Sequence, residues 1–426
     1  MSLRKGSITA DVYVTMEPDR RGNYVCDGTS DNTEFQNAID DLRNDLGGGT
    51  IYIGPGHYTT NTYTELYDDI NIMGAGYKTW IEIADTRPDV VPSDWVHQCV
   101  WWNNNRALYN VNLSDMRIDG NKANNTRSSF THSFAPVYIG HSGSNVNCYR
   151  LYVHDGLNYG IFYDAISGNM YDQEVMNCRV FGNGFNDISF QTSSYVFRDS
   201  RANNNTVGGD TGDIGLDAET YSGGNLYRIQ FNNNTVLEMT GLGGSALKAW
   251  FAIRFERNTL GCEAVGNTIY RTNKGIGIHS GSSGGHVISG NVITLHNTET
   301  ANRGINCEKD DCIISGNKII GNTLSGDWGI RVENADDCNV YGNHIEGVEV
   351  GVQMVTSDDV IINGNRIFAT TPITGSGNRP QITNNNWQGS TNDTALGGFT
   401  NPRYAINVDR NGAWWASVSG AGTNVW

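Results

Sequence analysis

The chain has 426 residues, 52 of them Gly and only 8 Pro, with hydrophobic residues at 38%, charged residues at 17% and a formal net charge of −16. No run of about 18 apolar residues occurs, which excludes a helix inserted across a membrane, and 20 Tyr, 13 Phe and 10 Trp exclude a disordered chain. The excess of 45 acidic over 29 basic residues argues against nucleic acid, whose phosphates need a basic stripe.

The chain opens Met1-Ser2-Leu3-Arg4-Lys5-Gly6 with no apolar core segment behind the basic pair, so no secretory signal peptide is expected. The first regular element is a helix over 31–46. Phe35, Ile39, Leu42 and Leu46 form one apolar stripe, Ser30 or Asp31 can cap it, and Gly47-Gly48-Gly49 ends it. Thr50-Ile51-Tyr52-Ile53 then reads as a strand turning at Gly54-Pro55-Gly56, and Ile70-Asn71-Ile72-Met73 as a second strand running into Gly74-Ala75-Gly76.

Asp27-Gly28-Thr29-Ser30-Asp31-Asn32-Thr33, the helix, and Gly49-Thr50-Ile51-Tyr52-Ile53-Gly54-Pro55-Gly56-His57-Tyr58 together resemble the opening of pectate-lyase-like right-handed parallel β-helices. Mannuronan epimerases and many phage tailspikes share that opening. The resemblance spans roughly residues 25–85 and implies a coil whose N-terminal end is capped by the helix.

Repetition supports the same fold independently. One repeat places Asn at 267, 291, 317, 343, 365 and 385, with Ile or Val two residues on in most, as in Ser289-Gly290-Asn291-Val292-Ile293. Stacked side-chain amides can hydrogen-bond along a coil, so these Asn are read as structural. A second repeat reads Gly160-Ile161-Phe162-Tyr163-Asp164, Asp187 to Gln191, Asp213 to Asp217, Ala246 to Trp250, Gly275 to His279, Gly304 to Glu308, Gly329 to Glu333 and Gly351 to Val355. Its second and fourth positions are mostly apolar and face inward, its third and fifth outward.

The expected architecture is all-β: one single-stranded right-handed parallel β-helix over 50–390, behind an N-terminal strand and capping α-helix in 1–49. Residues 391–426 form a C-terminal hairpin tail, with Trp414, Trp415 and Trp426 suited to capping the coil or to an oligomer contact. The eight Cys show no CxxC and read as buried small hydrophobes in a reducing compartment, and their spacing is not that of a zinc site. No cofactor or metal is expected, although Asp210, Asp213, Asp217 and Glu219 form an acidic cluster of the kind that takes calcium.

The outward positions supply the candidate site. Asp217, Lys248, His279, Glu308, Arg331 and Glu333 are the candidate catalytic groups; Tyr159, Phe162, Asp164, Gln191, Trp250 and Asn306 are the candidate substrate contacts. Paired carboxylates such as Glu308 and Glu333 suit glycoside hydrolysis, whereas a base with a cation such as Lys248 or Arg331 suits lyase or epimerase chemistry. Tyr159-Gly160-Ile161-Phe162-Tyr163-Asp164 resembles the Tyr-Gly-Phe-Asp-Pro-His stretch of mannuronan epimerases but puts Phe162 where that family has Asp. The expected function is therefore a tailspike-like receptor-binding protein that recognises, and in one version depolymerises, a cell-surface polysaccharide. It is expected as a homotrimer on a virion tail or outside the cell. The alternatives are a secreted polysaccharide lyase, C5-epimerase or glycoside hydrolase, and a structural coil without activity.

Overall fold

The computed structural model describes residues 10–16, 23–85, 99–103, 106–125, 135–209, 212, 214–220, 223–239, 251–296, 302–322, 326–388, 399–400, 405–409 and 414–417. It divides into two compact units, 1–183 and 184–426. In both, strands pair in parallel with the strand one turn of chain further on.

In the first unit, Val12–Thr15 pairs with Gly49–Ile53, and Gly49–Ile53 with Ile70–Ile83. Ile70–Ile83 then pairs with Ala107–Asp119, and Ala107–Asp119 with Ser142–Tyr149. The helix is Asn32–Leu46 and buries Phe35, Ala38, Ile39 and Leu42, with the Phe35 ring 5.5 Å from Tyr58 and 5.7 Å from Trp101. Leu46 does not join that stripe. It lies in the closing turn, 65% exposed, just before Gly47 enters the left-handed region and donates to Arg43 O. Asp31 stands at the N-cap without capping the helix; its carboxylate accepts from the N–H groups of Gly28 (3.0 Å) and Thr59 (2.8 Å), tying the entry loop to the sheet.

The interior of the second unit is built from columns of β-branched residues. Ile276, Ile305, Ile330 and Val352 form one, Ile293, Ile319, Ile345 and Ile367 a second, and Ile288, Ile314, Val340 and Ile362 a third, all fully buried. Each such side chain contributes about 1.5–3 kcal/mol relative to exposure. A ring stack runs beside them, Phe190 to Phe231 at 5.9 Å, Phe231 to Phe255 at 5.4 Å and Phe255 to His286 at 5.5 Å.

The Asn column is a continuous buried ladder, longer than the sequence repeat suggests: it starts at Asn205 and Asn234 and runs to Asn385. At Asn317, Oδ1 accepts both the backbone N–H (3.0 Å) and Nδ2 (2.9 Å) of Asn291. The Nδ2 of Asn317 donates to Asn343 Oδ1 (2.9 Å) and to Ile288 O (3.0 Å). Every polar atom of the amide is used. The residue before each Asn makes the turn in the left-handed region, Gly290 at φ 65° and Gly316 at φ 62°.

A second glycine column, Gly275, Gly304 and Gly329, is needed for space. A Cβ on Gly304 would lie 2.5 Å from Gly329 O and 2.7 Å from Ile319 Cγ2. These glycines stand at the corner where the in–out alternation of side chains resets. All eight Cys are buried, and none is joined in a disulfide. At the C-terminal end Ala405–Asp409 and Trp414–Ser417 pair antiparallel; the side chains of Trp414 and Trp415, and Trp426 itself, lie outside the described residues.

Two outcomes follow from this packing. Asn343→Ala leaves the N–H and Nδ2 of Asn317 and the Ile314 carbonyl without their partners, and destabilises the protein by about 2–4 kcal/mol. The same change at Asn363, whose side chain accepts from Asn384 Nδ2 at the surface, costs under about 0.5 kcal/mol. Chemical denaturation of both variants measures the difference.

His286 is fully buried, with Nδ1 accepting from Cys262 N–H at 3.3 Å and Nε2 meeting no partner among the described residues. Burial pushes its pKa down to about 4. The unfolded chain, near 6.5, therefore binds a proton that the folded chain refuses, and stability falls as pH drops from about 6.5 to 4. His286→Ile, which copies Ile229 two rungs earlier in the same column, should remove about 3 kcal/mol of that acid sensitivity, read as melting temperature against pH.

Candidate functional site

The register places the outward residues of the second unit differently from the sequence alignment. Ile188 pairs with Leu216, Ser189 with Asp217 and Gln191 with Glu219. The next strand is Phe251–Phe255, with Leu216 opposite Ile253 and Asp217 opposite Arg254. Asp217 thus belongs to the third outward position, in line with Arg254, Gly277, Asn306 and Arg331. Glu219 takes the fifth position, followed by Glu256, His279, Glu308 and Glu333. A slip of two residues keeps every side chain on its face, so hydrophobic alternation alone does not detect it.

Several expected groove residues are not on an open surface. Asp217 is 0% exposed and accepts from Asn186 Nδ2 (3.0 Å) and Ser189 Oγ (3.3 Å), while Gln191, also 0% exposed, donates from Nε2 to Glu219 Oε2 (3.3 Å). In the first unit Phe162 is buried between the rings of Tyr159 (4.2 Å) and Tyr138 (5.3 Å). The neighbouring Asp164 is pushed up to about 7 by burial alone. Tyr159, Phe162 and Asp164 are therefore buried in that unit. Lys248 and Trp250, and Asp210 and Asp213 of the acidic cluster, lie outside the described residues.

Three other expected residues do converge. His279, Asn306 and Glu308 line a cavity of about 200 Å³, together with Phe251, Arg254, Lys274 and Arg303. Arg331, with Glu333, stands one rung beyond Asn306. Gly277 forms the floor: a Cβ there would sit 2.7 Å from the Phe251 ring. Lys274, Arg303 and Trp328 pair across successive rungs, each just before a corner glycine. The reset of alternation at that glycine turns them onto the same outer face as Asn306. The signal was present in sequence, as Lys-Gly-Ile, Arg-Gly-Ile and Trp-Gly-Ile, but strict period-two counting hides it.

The polar groups are linked. Arg303 Nη1 donates to Asn306 Oδ1 (3.2 Å), Asn306 Nδ2 donates to Glu308 Oε1 (2.7 Å), and the N–H of Gly281 donates to His279 Nδ1 (3.0 Å). The guanidinium carbons of Arg303 and Arg331 lie 5.0 and 4.9 Å from the Trp328 ring centre, and Lys274 Nζ 5.3 Å from that of Phe251. Burial, and then the charge of Arg331, lower the Arg303 pKa. Among the lining residues three cations face one carboxylate, in a chain of net charge −16. The arrangement suits an anion that also carries hydroxyls.

One rung away lies a carboxyl pair that sequence reading missed. Burial, followed by the charge and hydrogen bond of Glu256, raises Glu219 to about 8, while Glu256 is held by Arg254 at 2.6 Å. Arg254 thus touches both the pair and the cavity. Because the folded state keeps the Glu219 proton, its contribution to stability is lost as pH rises from about 4.5 to 8. Glu219→Gln should melt higher than wild type at pH 8–9, and the gap should close below pH 4.5.

Residues 255–408, somewhat over a third of the chain, match the family model described as periplasmic copper-binding protein (NosD). A search of curated protein sequences finds no match. Among solved structures, the pre-mature gene product 12 of bacteriophage phi29 is similar at a TM-score of 0.66 and 15% identity, over 93% of this chain and 56% of that one. PfbA, a surface adhesin of Streptococcus pneumoniae, is similar at 0.61 and 16%, over 93% and 95%. The tailspike protein of E. coli bacteriophage HK620, solved in complex with a pentasaccharide, is similar at 0.59 and 12%, over 93% and 80%. The fold is that of the right-handed parallel β-helix proteins.

Proposed function

We propose that the protein recognises an acidic surface polysaccharide in the cavity between Phe251 and Glu308, as a receptor-binding β-helix of the tailspike kind. The observation that carries this reading is the charge inversion: Arg254, Lys274 and Arg303 converge on one cavity of an otherwise acidic chain. A uronate or similar sugar carboxylate would take Lys274 and Arg303, with Asn306 and His279 on neighbouring hydroxyls and the Phe251 and Trp328 rings against sugar faces. The similarity to a tailspike solved with a bound pentasaccharide supports a saccharide as the ligand. A virion or extracellular setting and a homotrimeric assembly belong to this reading.

Glycan cleavage is a second reading, favoured by the Glu219–Glu256 pair, in which burial keeps the Glu219 proton near neutral pH beside a carboxyl that contacts Arg254. Glu308 and Glu333 suit that role less well, since Asn306 Nδ2 donates to Glu308 and Arg331 pairs with Glu333 at 2.8 Å.

Binding to immobilised acidic polysaccharides should exceed that to neutral ones and weaken with added salt. Lys274→Ala and Arg303→Ala should each lower affinity about tenfold or more. Equal binding of neutral and acidic glycans, or wild-type affinity in both variants, overturns the proposal. Release of reducing ends that Glu219→Gln abolishes would establish cleavage.

A further inference from the structure

The fold assembles a sulfur cluster that the cysteine spacing does not announce. Cys307 ends the strand Arg303–Cys307, whereas Cys312 and Cys338 precede the paired strands Ile313–Ser315 and Asn339–Tyr341 at equivalent places on successive rungs. The three Sγ atoms lie within 4.8 Å of one another, with Cys307 and Cys338 4.0 Å apart, and all three residues are fully buried and unbridged. Among the described residues no other group brings three cysteines together; Cys26 instead meets Asp31 and Glu34.

We propose that Cys307, Cys312 and Cys338 form a binding site for a divalent d10 cation of the zinc type, with the Lys309 carbonyl oxygen as the fourth ligand. A tetrahedral ion with sulfur at about 2.3 Å and oxygen at about 2.1 Å sets S···S near about 3.8 Å and S···O near about 3.6 Å. The observed Cys307–Cys338 separation is 4.0 Å, and Lys309 O lies 3.3 Å from Cys307 Sγ and 3.4 Å from Cys338 Sγ. Small shifts close the shell. Sulfur donors select soft or borderline ions over calcium or magnesium.

Charge argues for a divalent ion. Three thiols release three protons to solvent, three S–metal bonds form, no electron is transferred, and the buried complex carries a single negative charge. A monovalent ion on the same thiolates would leave two negative charges in the core, at greater cost.

The surface above the cluster favours cation entry. Asp310 and Asp311 precede Cys312, Asp336 and Asp337 precede Cys338, and Asp358 and Asp359 continue the ridge on the next rung. Backbone N–H groups link them, Asp336 to Asp310 Oδ1 at 2.9 Å and Asp358 to Asp336 Oδ1 at 2.7 Å. Lys309 and Arg379 are the cations paired with this ridge among the described residues. Such a field concentrates cations beside the turn at Lys309.

The test uses the full chain, reduced and stripped of metal, titrated with cobalt(II) under argon. One equivalent should bring in thiolate-to-cobalt charge-transfer absorption and the visible bands of a tetrahedral ion, and one equivalent of zinc should abolish both. Val332 and Val360 occupy the places of Cys307 and Cys338 on the following rungs, so Cys307→Val and Cys338→Val suit the coil and should fold, which circular dichroism checks. Each should lose the charge-transfer band and bind zinc at least a hundredfold more weakly, while Cys262→Val keeps both. Absence of the band in wild type, or its persistence in Cys338→Val, overturns the proposal. Should a variant unfold, native mass spectrometry of wild type decides: one retained zinc supports the site, and none refutes it.

Discussion

The shared oxygen of the buried asparagine ladder sets the frame of the second unit. Each Oδ1 takes two N–H groups from the preceding Asn, and each Nδ2 serves the next Asn and a backbone carbonyl. A buried amide with all its capacity used strengthens the coil; one shifted by a single residue would leave several buried polar groups unmet, at about 1–3 kcal/mol each. The ladder therefore fixes which residue of one turn stands above which residue of the next, despite turns of 24, 26, 26, 22 and 20 residues.

Register of that kind is what makes a site from a repeat. Lys274 and Arg303 are 29 positions apart in the chain, yet paired strands bring them side by side. The same stacking joins Asn306 to Arg331 and Cys312 to Cys338. Glycine completes the arrangement in two ways: Gly304 leaves room for the neighbouring rung at the corner, and Gly277 leaves room for the Phe251 ring in the cavity floor.

The repeat architecture was legible because it depends on local chemistry written at regular intervals, Gly-Asn turns and Gly-Ile-x-Ile strands. The helix was legible for the same reason, save that Leu46 falls in the closing turn and Asp31 is spent on the loop and sheet. The site was legible only in part. His279, Asn306, Glu308 and Arg331 emerged from alternation, but alternation is blind to a two-residue slip and so exchanged Asp217 for Glu219. It also continues through a corner where the real chain resets, which hid Lys274 and Arg303. Burial of Phe162 and Gln191 depends on what covers an outward face, and the proximity of three thiols depends on the path of one turn. Neither is encoded in a single strand's pattern.

A structure of the protein with a bound acidic oligosaccharide tests the central claim most directly. The account predicts density in the cavity, with a sugar carboxylate within hydrogen-bond reach of Lys274 and Arg303 and hydroxyls facing Asn306 and His279. Density on another face of the coil, with that cavity empty of sugar, would contradict it.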